Sequence, residues 1–195
     1  MSGFTCKHGL APDHIARAVD LYWQAFGPKL SKVMGPEAKA RAFFTRVFDP
    51  NHAISALGPD GDLWGVAGFK SDNGALTAAE WSDMTAIYGS IDSTWRVPLL
   101  SLLERTHSPD ILTMDGIFVS EQARGQGVGT VLLDAIVQTA KDLGKTAVRL
   151  DVIDTNPRAR ALYERRGFVA TTQEHLGPFK WLFGFASATT MIRDV

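Results

Sequence analysis

Three glycines stand at alternate positions behind an arginine in the stretch Val119-Ser120-Glu121-Gln122-Ala123-Arg124-Gly125-Gln126-Gly127-Val128-Gly129-Thr130. An apolar run precedes them and a helical pattern follows. Each glycine costs backbone entropy at the mouth of a helix, so the main chain there is expected to approach something closely. The first turn of a helix carries unpaired N–H groups and partial positive charge. A phosphate can rest on those groups when no side chain intervenes, and Arg124 adds a planar cation suited to phosphate oxygens. A P-loop needs lysine followed by serine or threonine after its last glycine, where this chain has Thr130-Val131. A Rossmann fingerprint needs its third glycine three positions after the second, where Thr130 stands. Neither common phosphate loop fits. Close helix–strand packing is the plain alternative for the glycines.

Other residues able to do chemistry are scattered. Asp115 interrupts an apolar strand, an unusual place for a carboxylate, and partial desolvation there would raise its pKa toward a useful value for a base. Glu80 and Asp83 are alternative carboxylates, and a water chain needs no dedicated base. His52 and His107 titrate conveniently but read as ordinary strand or loop residues. His8, His14 and His175 have no partner visible in the sequence. Cys6 is the only cysteine, so neither an internal disulfide nor a thiolate metal cluster is available, and no metal site is expected.

The elements that must position these residues follow from periodicity. Ile15, Val19, Tyr22, Trp23 and Phe26 predict an amphipathic helix after Asp13, with Gly27 as its stop. A second helix is expected from about Pro36 to Phe48. Two short apolar runs around Pro59-Asp60-Gly61-Asp62 read as a β-hairpin. From about 71 to 109 the chain reads as a mostly helical excursion. Its charged residues to position 104 are Asp72, Glu80, Asp83, Asp92 and Glu104 against Arg96 alone. Ile111–Val119 is a strand leading into the glycine loop. The helix after it has a predicted stripe of Val128, Val131, Leu132, Ala135, Ile136 and Leu143, ended by Gly144. Another strand reaches Ile153. Asn156 caps a short helix that has Pro157 at its first position and Gly167 beyond its end. Two final strands flank the aromatic loop Gly177-Pro178-Phe179-Lys180-Trp181-Leu182-Phe183-Gly184-Phe185. One mixed α/β domain spanning 1–195 is the economical reading.

Composition narrows the function class. Nearly half of the 195 residues are hydrophobic, enough for a sizeable core, and 20 lysines and arginines nearly balance 21 acidic residues. That balance argues against a nucleic-acid-coating protein. No charged-then-apolar leader opens the chain and no apolar run reaches membrane-spanning length, so a soluble cytoplasmic protein is expected.

The loop resembles the pyrophosphate-binding motif of the GNAT N-acetyltransferase superfamily, Arg/Gln-x-x-Gly-x-Gly/Ala, through Arg124, Gly127 and Gly129. A second family pattern, Asn-x-x-Ala-x-x-Leu-Tyr-x-x-x-Gly-Phe, is met by Asn156, Ala159, Leu162, Tyr163, Gly167 and Phe168. The resemblance is sharp from Ile111 to Phe168. It implies a central twisted mixed sheet, flanked by helices, whose fourth and fifth strands splay apart to admit acetyl-CoA. It implies acetyl transfer from acetyl-CoA to a primary amine by direct attack on the thioester. In that picture Arg124, Gly125, Gln126, Gly127, Val128, Gly129 and Thr130 cradle the pyrophosphate, and backbone groups of Phe118 and Val119 face the thioester oxygen. Asn156 and Ala159 lie along the pantetheine arm. Tyr163 donates to the departing sulfur as a proton donor or simply as a hydrogen-bond partner, and Asp115 is the candidate base. The excursion departs from the compact family pattern. Glu80, Trp81 and Asp83 there, with Trp181 of the aromatic loop, are the candidate acceptor contacts for a small-molecule or peptide amine. A solvated acidic face is the bland alternative, and a homodimer contact is a second use for the aromatic loop. A catalytically silent acyl-CoA sensor is the alternative function.

Overall fold

The computed structural model describes residues 3–103 and 108–195. Glu104 and His107, named above, lie outside them. Among the described residues one sheet runs in the order β1 (Thr5–His8), β2 (Ala53–Leu57), β3 (Leu63–Ser71), β5 (Ile111–Val119), β6 (Ala147–Ile153), β8 (Ser187–Asp194), β7 (Val169–His175). The two-residue strand β4 (Gly74–Ala75) pairs with the end of β3. Counting it shifts the numbering, so the expected fourth and fifth strands are β5 and β6. Among the described residues they form the one parallel pair of strands, and every other ladder is antiparallel. The sheet is mixed and helices cover both faces.

α5 (Val128–Asp142) lies on one face, where Leu132, Leu133, Ile136, Val137 and Ala140 bury against Leu112, Val148, Leu150 and Val152. Each of these leucine, isoleucine and valine side chains contributes about 1.5–3 kcal/mol through burial. The expected stripe is shifted: Val131 and Leu143 are exposed, and Leu133, Val137 and Ala140 take their places. The other face carries α1 (Ile15–Met34), α2 (Glu37–Val47) and α3 (Trp81–Tyr88), centred on Tyr22, whose ring meets Phe26, Phe44, Phe48 and Phe118 at centroid distances of 4.6–5.6 Å.

α1 does not stop at Gly27. It continues through Pro28 to Met34. A Cβ on Gly27 would sit 2.9 Å from the Trp23 ring, so glycine serves close packing there, and burial of Leu30, Val33 and Met34 sustains the helix past the proline. The excursion supplies α3 and α4 (Ser90–Ser101). It closes the end of α1: the Tyr88 hydroxyl donates to the Met34 carbonyl at 2.5 Å. The buried Arg96 guanidinium, between the Tyr88 and Trp95 rings at 4.4 and 4.3 Å, donates to the Val33 carbonyl. Carbonyls at a helix C-terminus need such donors, and a cation suits the negative end of the helix dipole.

Candidate active site

β5 and β6 pair only through Ile111–Ala147, Leu112–Val148 and Thr113–Arg149. Beyond Thr113 and Arg149 the two strands separate, β5 staying with β3 to Val119 and β6 with β8 to Ile153. A fork opens in the middle of the sheet. The facing edges of both strands there carry peptide groups that the ladder does not use.

A bulge shapes the β5 side of the fork. Gly68 pairs with Gly116 and Phe69 with Met114, which leaves Asp115 as an extra residue. Leu112 and Met114 face the α5 core before the bulge. After it Ile117 and Val119 pack against that same core, and Phe118 turns to the α1 side. The Ser120 N–H donates to the Trp64 carbonyl of β3 at 2.8 Å. Main-chain groups of an extended strand alternate in direction, so Phe118 also points its N–H at β3, while Ile117 and Val119 direct theirs into the fork. Of the two residues expected to offer backbone donors, Val119 faces the fork and Phe118 does not. Ile117 joins Val119, a placement hidden in the sequence because it depends on strand partners.

At the end of β5 the chain makes a short turn over Glu121–Ala123 and then opens α5. Gly125 and Gly127 have φ of +78° and +83°, and a Cβ on either would meet nothing within 4 Å. These two glycines supply a left-handed backbone beside open space. Gly129 differs: it lies inside α5, where a Cβ would stand 3.6 Å from Leu162. Its role is packing against α6 (Pro157–Arg165). The N–H groups of Thr130 and Val131 turn back to the Gly127 carbonyl at 3.0 and 3.1 Å. Among the described residues the N–H groups of Gly125, Gly127, Val128 and Gly129 find no acceptor. Arg124 is exposed beside them, in a loose 3.3 Å pair with the exposed Glu121, and Gln126 donates to the Gln122 carbonyl at 2.7 Å. The loop is an open concavity of unpaired donors beside an available guanidinium.

α6 borders the same space. Asn156 accepts from the Ala159 N–H at 3.2 Å and caps the helix. Arg166 at its far end pairs with Asp134 of α5 (Nε to Oδ1 3.0 Å), fixing the two helices together. Tyr163 is only 5 % exposed and lies in the core that contains Ala123, Val128, Leu132 and Val152, under the opening of α5. Burial pushes its hydroxyl up to about 12.

Asp115 is turned away from the fork. Its carboxylate accepts the Leu76 N–H at 3.1 Å and the Thr77 N–H, on the β3 side of β5. Burial raises its pKa, opposed by those two N–H groups and by Lys70 and His52. Asp83 caps α3 by accepting the Glu80 N–H at 3.0 Å and pairs with Arg46 of α2 at 2.7 Å, and these partners lower its pKa. A low-pKa, doubly engaged carboxylate makes a poor base. Glu80 and Trp81 are exposed next to it, and among the described residues no hydrogen bond or ion pair links any of the three to β5 or β6. The acidic start of the excursion belongs to the surface around α2. Trp181 is 67 % exposed in the short helix α7 (Lys180–Phe183), with Lys32 over its ring at 5.5 Å and donating to its carbonyl. Its neighbours Phe183 and Phe185 are buried against Val33 and Ala188, below a pocket of about 280 Å³ lined by Leu102, Leu103, Glu174, Leu176, Phe179 and Phe185. His52 is buried between Asp49 (Nδ1–Oδ2 2.7 Å) and Ser71 (Nε2–Oγ 3.1 Å), linking the turn before β2 to the end of β3. Among the described residues no group of three His, Cys, Asp or Glu side chains could hold a metal ion. No helix there is long and apolar enough to cross a membrane.

A parallel strand pair that forks beside a glycine-built loop of unpaired donors is the arrangement that the resemblance to an acetyltransferase fold implied. The model of the acetyltransferase (GNAT) family matches residues 15–168, and the chain belongs to that family. It is an N-acetyltransferase by that membership and by its named relatives. It is 27 % identical over 143 residues to the D-amino-acid N-acetyltransferase HPA3 of Saccharomyces cerevisiae, covering 73 % of this chain and 72 % of that protein. Among solved structures it resembles a histone acetyltransferase HPA2 and related acetyltransferase from Corynebacterium glutamicum, with a TM-score of 0.69, 22 % identity, and coverage of 98 and 96 % of the two chains. It also resembles a GCN5-related N-acetyltransferase from Kribbella flavida, with a TM-score of 0.68, 15 % identity, and coverage of 99 and 98 %.

Proposed function

We propose that the chain moves an acetyl group from acetyl-CoA to the primary amine of a small molecule or peptide, by direct attack of the amine on the thioester. The observation that carries this reading is the set of unpaired N–H groups at Gly125, Gly127, Val128 and Gly129, set beside a fork that exposes the β5 main chain. Acetyl-CoA supplies the activated acetyl thioester and the pyrophosphate that such a cradle fits. Arg124 neutralises phosphate charge. The Val119 N–H, aimed into the fork, donates to the thioester oxygen as negative charge grows there. The nitrogen lone pair forms the new C–N bond, the C–S bond breaks toward sulfur, and the amine proton leaves to water.

Tyr163 faces the departing sulfur in this arrangement. A phenol near pKa 12 is about 3.5 units weaker as an acid than a thiol near 8.5, so full proton transfer to the thiolate is uphill by about 5 kcal/mol. Its role is therefore to hold the thiolate by a hydrogen bond rather than to give up its proton. Asn156 serves first as a cap and lies beside the pantetheine path with Ala159. The α1 face of the fork, with the pocket under the aromatic loop, receives the acceptor. Trp181 stands outside it on the surface that a second copy of the chain would use. The reaction belongs in the cytoplasm, where CoA thioesters and a free cysteine coexist.

The test is release of CoA thiol from acetyl-CoA across a panel of amines, alongside a thermal shift with CoA alone. Amine-dependent release with a CoA shift is expected. A CoA shift with no release for any amine would favour the silent sensor.

A further inference from the structure

The stripe of α1 that faces the sheet runs Ala18, Tyr22, Phe26, Lys29, Val33 at helical spacing, and Lys29 is its only charged member. Its neighbours locate it. The tip of the Phe26 ring lies 2.8 Å from where a Cβ on Gly116 would stand, so that ring rests on β5 beyond its last pairing with β6. Val33, one turn on, is buried with Ala188 of β8 and packs with Ile153 of β6. Lys29 thus lies over the fork, on the face opposite α5. Helical side chains lean toward the N-terminus, and the Lys29 Nζ is accordingly 5.2 Å from the Phe26 ring centroid. It is half-buried, and among the described residues no carboxylate lies within ion-pairing distance of it. Burial lowers its pKa, with no charged group offsetting the effect.

The sheet below supplies a second cation. Val148, Leu150 and Val152 of β6 face α5, so Arg149, Asp151 and Ile153 face α1. Arg149 is the β6 partner in the last pair before the fork. Its Nη2 lies 3.3 Å from the Thr190 Oγ1 and 3.6 Å from Asp151, while its Nε is buried with no hydrogen-bond partner. A half-buried ammonium over the fork, for which the described residues offer no anion, is an unfavourable arrangement that an anionic ligand relieves; the unpaired Arg149 donor lies at the apex of the same fork.

We infer that the acceptor is an amino carboxylic acid, its carboxylate held by Lys29 while its amine points into the fork. This rests on the acyl-transfer reading above and names the substrate class for that same site. It also departs from the expectation that Glu80, Trp81 and Asp83 of the acidic excursion contact the acceptor.

The experiment compares glycine, β-alanine and γ-aminobutyrate with their amides and with ethylamine and propylamine, measuring thiol release from acetyl-CoA. The acids should show kcat/KM values about 10- to 100-fold above their uncharged counterparts, the range for a charge-assisted contact. In Lys29→Met the KM for the acids should rise by a similar factor, with the KM for acetyl-CoA and the CoA thermal shift unmoved. Lys29→Arg should restore most of the loss. Amides and simple amines equal to the acids, or a preference that persists in Lys29→Met, would overturn the inference and leave acyl transfer standing. No release with any amine would remove both.

Discussion

Gly127→Ala tests the cradle in a way that separates backbone strain from ligand loss. Gly127 has φ +83° at the mouth of α5. An alanine held there costs roughly 1–2 kcal/mol. For a chain of this size, 1 kcal/mol moves Tm by about 2–4 °C, so the variant should melt about 2–8 °C lower. Gly61, in the β2–β3 turn, is a matched control: its φ is also +83°, and a Cβ there likewise meets nothing within 4 Å. Gly61→Ala should lose the same stability. The two variants should part when CoA is added. At a hundred times its Kd, CoA stabilises wild type and Gly61→Ala by about 2.7 kcal/mol, a rise of about 5–11 °C. In Gly127→Ala the new methyl occupies the space into which the free N–H groups open, and losing one charge-assisted contact weakens binding about 10- to 100-fold. The rise at the same CoA concentration should then shrink to about 1–6 °C. Scanning calorimetry with and without CoA, plus titration calorimetry for Kd, gives both numbers. Equal CoA affinities in the two variants would refute the cradle, whatever their melting temperatures.

Tyr163→Phe keeps the buried ring and deletes only the hydroxyl, so Tm and the KM for acetyl-CoA should hold while kcat falls about 10- to 100-fold; an unchanged kcat removes Tyr163 from the reaction. Because burial holds the Tyr163 proton to about pH 12, kcat/KM should climb as the acceptor amine deprotonates and show no tyrosine-dependent descent at lower pH. The same shift makes folding weaken as pH rises past about 10, since the unfolded tyrosine ionises first, with the full loss reached above about 12. Asn156→Ala should cost about 1 kcal/mol through the lost cap, whereas Asn156→Asp should keep Tm and raise the KM for acetyl-CoA; an unmoved KM would leave only the cap. For Asp115, burial places the folded pKa above 3.8, so wild type carries a charging cost that grows as pH rises through the folded value. The stability of Asp115→Asn relative to wild type should therefore improve with rising pH, and its kcat should stay within a few-fold; a collapse of kcat would return Asp115 to the role of base.

Local signals carried most of the glycine loop and α6. Asn156, Pro157 and Gly167 bracket α6 by capping chemistry that acts within a few residues, and the glycine loop states its φ requirements in its own composition. The α1 side of the fork was poorly legible because its determinants are contacts between distant segments. Gly27 and Pro28 look like a helix end, and only the burial of Leu30, Val33 and Met34 against other elements overrides them. Asp83 looks like a free acid until Arg46, 37 residues earlier, is placed beside it. Lys29 is one lysine among many in the sequence. Its position becomes informative once α1 lies across the fork and, among the described residues, no carboxylate pairs with it.

The bulge at Asp115 explains how one strand can build both sides of this site. Had β5 alternated regularly through Asp115, the residues that follow would present the opposite faces, placing Phe118 in the α5 core and turning Ile117 and Val119 toward α1. The extra residue inverts that order. Phe118 and the bare Gly116 then meet Tyr22 and Phe26 of α1, while Ile117 and Val119 pack toward α5 with their N–H groups in the fork. A bulge interrupts the ladder locally and needs other partners to hold it. The Asp115 carboxylate meets that need by gathering the N–H groups of Leu76 and Thr77, where the excursion leaves β4. A carboxylate in an apolar strand reads as a base when only the strand is visible. With its partners in place, its work is to hold the bulge that aims the Val119 N–H into the fork and brings Gly116 under Phe26 of α1.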